Sequence, residues 1–170
     1  MAVKLKFKKL DERAVIPTYA HKGDIGLDVT AIDVEYDEDN DLYIYHTGLA
    51  CEMEEGYALL CLPHSSNTKT NAYLPNSPGL VDPATYRGEI QWRYKLRDVT
   101  TLPTSFFHIL DDITQNSEEK LQWIMNNAPY KVGDRIGQFV VVQVPQLDIE
   151  EVDELSETER GTGAWGSSGK

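Results

Sequence analysis

The sequence is short of several things, and each shortage excludes something. Cysteine appears only twice in 170 residues, as Cys51 and Cys61. The two show no Cys-x-x-Cys spacing and no nearby histidine pair, so no zinc or redox motif is written there. Two reduced thiols in or near the core are expected; a disulfide between their neighbouring segments is geometrically open but disfavoured in a reducing compartment. Cations are scarce as well. Lys and Arg number 16 against 28 Asp and Glu, a net charge of −12. A nucleic acid polymer is a poor partner for such a chain, because phosphate contacts need clustered Lys and Arg. A small phosphorylated ligand is not excluded, since a few local cations, backbone N–H groups and a metal ion suffice for it. No apolar run is long enough to span a bilayer, so no membrane association is expected. The start, Met1 to Lys9, alternates charged with apolar residues; it lacks the continuous apolar stretch of a signal peptide and reads as a strand. An intracellular location is the default expectation.

What is present suits one domain with a real core: 41% of residues are hydrophobic. Most of the chain reads as short strands between turns. Leu5 to Phe7 alternates; Leu27 to Ala31 is a β-branched run after a Gly-rich turn. Leu49 to Met53 and Tyr57 to Leu62 flank Glu54-Glu55-Gly56 as a hairpin-like pair. Glu89 to Tyr94 alternates like a half-buried strand, and Ile136 to Val144 is Val-rich like a buried one. The fold class is all-β, a sandwich or barrel. From Asn116 to Asn127 the period becomes helical, with Asn116 placed to cap and Glu119 three residues on. That helix sits in an acidic stretch, 98–130, read as an insertion into the β domain formed by 1–97 and 131–155. The Gly- and Ser-rich end, 156–170, cannot pack a core of its own and is expected to be a flexible arm.

Five segments could carry chemistry. Gly23 to Asp28 is a turn entering a strand with carboxylates; it is either a plain turn or a carboxylate facing a hydrated metal ion. Pro63-His64-Ser65-Ser66 is either a solvated loop or a set of donors for phosphate oxygens. In Asn76 to Gly88, Pro83 biases Asp82 toward an extended conformation. Asp82 is then an ordinary Asp at the end of a hairpin arm, or a general base for a water with Tyr86 as a flat platform under a sugar. Gly133 to Gln138 offers either a surface Asp134–Arg135 pair of little worth or Gln138 as a phosphate donor. Arg160 to Gly169 has the glycines of a phosphate loop but lacks the Gly-Lys-Ser/Thr ending of a P-loop; its bland reading is a disordered terminus.

Taken in order, the five closely resemble the five motifs of the trimeric dUTPase family (deoxyuridine 5′-triphosphate nucleotidohydrolases), and they frame almost the whole chain outside 98–130. The resemblance implies a jelly-roll or β-clip subunit forming a homotrimer with three shared active sites. It implies hydrolysis of dUTP to dUMP and pyrophosphate, which limits uracil in DNA and supplies dUMP for dTMP synthesis. It makes Asp82 the residue that activates the water attacking the α-phosphorus and Asp28 the holder of Mg²⁺ through waters. His64, Ser65, Ser66 and Gln138 fall at phosphate-binding positions. Asn76 and the backbone of Leu80, Val81 and Gln91 fall where uracil is read, and Tyr86 where deoxyribose packs. In the family the arm folds over a neighbouring subunit's site, which places Trp165 on the uracil ring and Arg160, Ser167 and Ser168 at the γ-phosphate.

Four departures stand out. His64 replaces the usual Arg, so charge at that position depends on pH. Asp82 and Tyr86 are separated by one residue more than usual, and Ala164 replaces a usual Gly. The 98–130 stretch resembles an insertion in some bacteriophage members that has been linked to regulatory partner binding. A protein partner and a surface elaboration without function are both open for it, and the expected location is the cytoplasm of a bacterium, or of the host if phage-encoded. The nearest rival activity, dCTP deamination, requires in that related family a Glu five residues beyond the position of Gly88; here Arg93 stands there, and that family lacks the Arg160 to Gly169 pattern. A regulatory protein using dUTP as an effector is the alternative from another class, and the retained Asp82 argues against it.

Overall fold

A computed structural model describes residues 3–97, 117–159 and 161–162. Ten strands and one α-helix occur among them: β1 Lys6–Lys9, β2 Leu27–Thr30, β3 Asp33–Asp37, β4 Leu42–His46, β5 Leu49–Glu52, β6 Tyr57–Pro63, β7 Ala72–Tyr73, β8 Gly79–Val81, β9 Gln91–Leu96, α1 Ser117–Asn126 and β10 Arg135–Gln143. The expected all-β class holds. One four-stranded sheet runs β2-β10-β6-β8, a second runs β3-β4-β9-β7, and β1 pairs with β5.

The core lies between the sheets. Alternation along β9 sends Trp92 and Tyr94 inward and leaves Gln91 and Arg93 on the outer face. Across from them Ile136 and Phe139 of β10 are fully buried. Strict alternation would not bury both; a bulge between Arg135 and Gly137 shifts the register and allows it. Gly137 must be bare, because a Cβ there would lie 2.2 Å from Trp92 Nε1, which donates to the Leu62 carbonyl at 3.2 Å. The buried tyrosines satisfy their hydroxyls: Tyr94 donates to Ile136 O at 2.6 Å and Tyr45 to Tyr130 O at 2.9 Å. Tyr43 donates to Ile124 O at 3.0 Å, so α1 is tied to the core at its last turn.

Two expectations are corrected. The segments around Glu54-Glu55-Gly56 are strands but not a hairpin: β5 pairs with β1, while β6 pairs with β10 and β8. The turn composition is that of a hairpin, yet the connection passes from one sheet to another, with Gly56 at φ 85° accepting from Val144 N–H at 2.8 Å. The Asp82 arm is likewise not a two-stranded hairpin, since β8 joins β6 and β9 joins β4 and β7. The helix expected from 116 to 127 is observed as Ser117–Asn126; the capping position Asn116 lies outside the described residues. No described helix is long and apolar enough to cross a membrane.

Candidate active site

The crossing from β8 to β9 builds a cavity of about 300 Å³. Among the described residues β8 is an edge strand, paired only with β6 (Cys61↔Gly79, Leu60↔Leu80, Leu59↔Val81), so one row of its N–H and C=O groups faces no described strand. A Cβ on Gly79 would come within 3.2 Å of Cys61 Cβ and 3.4 Å of Asn76 Nδ2, which is how closely Asn76 lies to the strand. Beyond Val81 the chain turns tightly: Thr85 and Tyr86 both donate their N–H to Asp82 O, at 3.1 and 2.9 Å. The additional residue between Asp82 and Tyr86 is absorbed in this turn, and Tyr86 still reaches the cavity. Arg87 clamps the turn, donating to the carbonyls of Pro83, Ala84 and Tyr86 at 2.9 Å each.

Asn76, Leu80, Val81, Asp82, Tyr86 and Gln91 all line this one cavity. Asp82 is exposed, and its carboxylate makes no hydrogen bond or ion pair with a described residue. The floor is apolar, from Cys61, Leu74, Ile90 and Trp92. Arg93, the position of the deaminase Glu, lines it as well, and so does Glu89, which no motif role marks. Arg93 Nη2 donates to Gln91 Oε1 at 3.3 Å, so a cation borders the cavity where the deaminase reading requires a carboxylate.

A second cluster forms where β2 meets β10. The register Gln138↔Asp28 brings Gln138 Nε2 to 2.8 Å from Asp28 Oδ1, and Arg135 Nη1 lies 2.7 Å from Oδ2. Arg135 therefore pairs with Asp28 and not with its neighbour Asp134, whose carboxylate caps the Lys131 N–H at 2.8 Å. Burial alone would raise the Asp28 carboxyl; hydrogen bonds from Gln138 and Arg135 and the charges of Arg135 and His64 outweigh it and hold the group below the usual carboxylate range. His64 Nδ1 accepts from Ser66 N–H at 3.2 Å and lies 2.7 Å from Ser66 Oγ, while Nε2 faces Asp28 Oδ1 at 4.0 Å. A cavity of about 360 Å³ beside them is lined by His64, Ser66, Lys69, Tyr130 and Arg135, among others. Lys69, outside the five segments, and Arg135, which the sequence pairs with Asp134, are thus cations of this cluster; Ser65 is exposed at the start of the short 3-10 turn Ser65–Lys69, outside that lining. The cavity of Asp82 and the cluster around Asp28 share no residue. Arg160, Trp165, Ser167 and Ser168 lie outside the described residues.

No family model matches the chain. Curated relatives do. A deoxyuridine 5′-triphosphate nucleotidohydrolase of Trichodesmium erythraeum is 34% identical over 168 residues, spanning 98% of this chain and 99% of the relative. One of Nautilia profundicola is 35% identical over 169 residues, spanning 99% and 100%. The chain belongs to the dUTPase family. Solved structures agree on the fold. A Staphylococcus bacteriophage 80alpha dUTPase mutant with dUpNHpp superimposes with a TM-score of 0.71 at 23% identity, covering 98% of this chain and 99% of that one. A mutant dUTPase from phage phi11 of S. aureus, whose structure shows the coordination of a structural Mg(II) ion, gives 0.64 at 20% identity over 91% and 99%.

On the outer face of the second sheet, His46 Nδ1 lies 2.9 Å from Glu89 Oε2 and Nε2 lies 3.6 Å from Glu35 Oε1. Burial would lower the imidazole, but the bond to Glu89 and the charges of Glu89, Glu35 and Asp33 outweigh it and raise it above the usual value; Asp11 and Arg13 line the same recess. Glu89 is correspondingly lowered: burial opposes the shift, and the bonds from His46, Gly48 N–H and Gln91 prevail. A histidine raised on folding contributes stability that is complete below its unfolded value, about 6.5, and is lost as pH rises through the folded value. Thermal melts of this dUTPase family member are expected to fall in midpoint across the window that opens near pH 6.5, and His46→Gln to flatten that fall. An equal slope in both proteins would assign it elsewhere.

Proposed function

We propose that the chain hydrolyses dUTP to dUMP and pyrophosphate, with Asp82 as the general base for the water that attacks the α-phosphorus. One observation carries this: an exposed carboxylate without a described partner stands at the rim of a cavity of nucleoside size, beside an edge strand whose backbone is open. Asn76 and the backbone of Leu80, Val81 and Gln91 supply donors and acceptors for the uracil edge. Tyr86, held by its hydroxyl bond to Glu89 O at 3.0 Å, gives the deoxyribose a flat wall that excludes a 2′-hydroxyl. His64, Ser65, Ser66 and Gln138 take the phosphates, and Lys69 and Arg135 add charge that His64, replacing the family's Arg, does not supply permanently. Arg160, Trp165, Ser167 and Ser168 complete the site from the arm.

Mg²⁺ belongs to this reading as an ion held through water. Among the described residues no group of three acidic, His or Cys side chains is placed to bind a metal directly. Asp28 is ionised, and each of its oxygens keeps an acceptor site beside its protein bond, so it fits the role of holding metal-bound waters while the triphosphate supplies the inner ligands. The ion would neutralise phosphate charge there.

A homotrimer belongs to the same reading, and two features support it. The two halves of the site share no residue within one chain. In the extended segment after β10, Leu147, Ile149 and Leu155 are 76, 87 and 87% exposed, apolar surface that a neighbouring copy would cover. The domain reading keeps 1–97 with 131–155 as one β unit, with 98–130 inserted as the place for a protein partner and 156–170 as the arm. We place the protein in the cytoplasm, where thiols such as the buried Cys51 and Cys61 stay reduced. Incubation with dUTP and with dCTP tests the activity: pyrophosphate from dUTP is expected, and ammonia from dCTP would sink the reading.

A further inference from the structure

Glu89 holds two walls of the Asp82 cavity. Its main-chain carbonyl accepts the Tyr86 hydroxyl at 3.0 Å. Its carboxylate accepts Gln91 Nε2 at 3.1 Å, and Gln91 is fixed at its other end by Arg93. The carboxylate is itself anchored from behind: Oε1 accepts Gly48 N–H at 2.7 Å, and Oε2 lies 2.9 Å from His46 Nδ1. Glu89 therefore borders the Asp82 cavity on one side and, on the other, a separate recess of about 340 Å³ that it shares with His46 and Glu35. The strand start beside it is pinned as well, with Ile90 N–H donating to Leu49 O at 2.9 Å and Ile90 O accepting from Thr47 at 2.6 Å.

We infer that Glu89, braced by His46 and Gly48, is a positioning residue for nucleoside binding, setting where Tyr86 and Gln91 stand without touching the phosphates. The inference rests on the dUTP reading above. The carboxylate accepts from the Gly48 N–H and from Gln91 Nε2 at once, and its charge favours a donating Nδ1 on His46. An amide accepts from only one side: accepting from Gly48, it presents N–H₂ to Gln91, which must then turn its own amide and give up the bond from Arg93. Glu89→Gln thus removes the charge and either the Gly48 bond or the present setting of Gln91, at almost constant shape. His46→Gln removes the rear support and leaves Glu89 in place.

The test separates the nucleoside from the phosphate part of the substrate. dUMP is titrated calorimetrically into the full-length wild type and both variants, and inhibition of dUTP turnover by inorganic pyrophosphate is measured beside it. The dUMP dissociation constant is expected to rise about tenfold in Glu89→Gln and about threefold in His46→Gln, less than the full worth of a charge-assisted bond because the brace acts on the nucleoside only through the residues it positions. The dUTP KM should rise in step, with kcat within about twofold and the pyrophosphate inhibition constant unchanged, as for a lost contact made equally in ground and transition states. Unchanged dUMP affinity in both variants overturns the inference, as does equal weakening of dUMP and pyrophosphate, which would mean general loosening of the fold. If Glu89→Gln fails to fold, His46→Gln decides by the same criteria. A wild type that binds dUMP but leaves dUTP intact overturns the hydrolysis reading alone, and the dUMP titrations then judge Glu89 by themselves.

Discussion

Asp82→Asn is expected to lower kcat for dUTP by roughly 10²- to 10⁴-fold, the range a positioned general base contributes, while dUMP and dUTP still bind. The asparagine keeps the size of the side chain and one acceptor oxygen but cannot take a proton. Little else should change. The Asp82 carboxylate bonds no described residue, and the turn behind it is held by its main-chain oxygen and by Arg87, neither of which the substitution alters. A folded, nucleotide-binding, inactive protein is the predicted result, read by steady-state turnover beside calorimetric binding. Unchanged turnover would remove Asp82 as the base.

Removal of residues 160–170 is the second large effect. It takes away Arg160, Trp165, Ser167 and Ser168, the side chains assigned by resemblance to the uracil ring and the γ-phosphate. A forked Arg–phosphate contact and one further charge-assisted bond contribute about 1.5–3 kcal/mol each, so kcat/KM should fall by about 10²-fold or more. The melting midpoint should hardly move, because the described core of Trp92, Tyr94, Phe139 and their neighbours is complete without the arm. The truncated protein is assayed against the full chain; full activity would refute the closing role of the arm.

The strands with a clear hydrophobic pattern were legible in the sequence, and so was the group of residues around the Asp82 cavity. β2, β6, β9 and β10 arise within a residue or two of their apolar runs because side-chain alternation and β-branching act locally. Strand pairing was not legible. Glu54-Glu55-Gly56 has hairpin composition, but β6 crosses to pair with β10, from Tyr57↔Gln143 to Pro63↔Gly137, a partner some eighty residues away that local composition does not mark. The β3–β4 hairpin carries no clear signal in the sequence because its acidic turn, Asp37 to Asp41, reads as solvated surface; Asp41 makes the turn at φ 55°, a conformation Asp tolerates. Long-range partners were hidden for the same reason. Arg135 looked like the mate of adjacent Asp134, yet the bulge in β10 aims it across the sheet at Asp28. Glu89 looked like one polar position in an alternating strand, and only the fold brings His46 and Gly48 behind it.

The central claim is attack by an Asp82-activated water on the α-phosphorus of dUTP. It is met most directly by running the reaction in heavy-oxygen water and weighing both products, with wild type and Asp82→Asn side by side. The expected result is label in dUMP and none in pyrophosphate, at a rate that collapses in the variant. Label in pyrophosphate, or label in dUMP at the wild-type rate without the Asp82 carboxylate, would contradict the account.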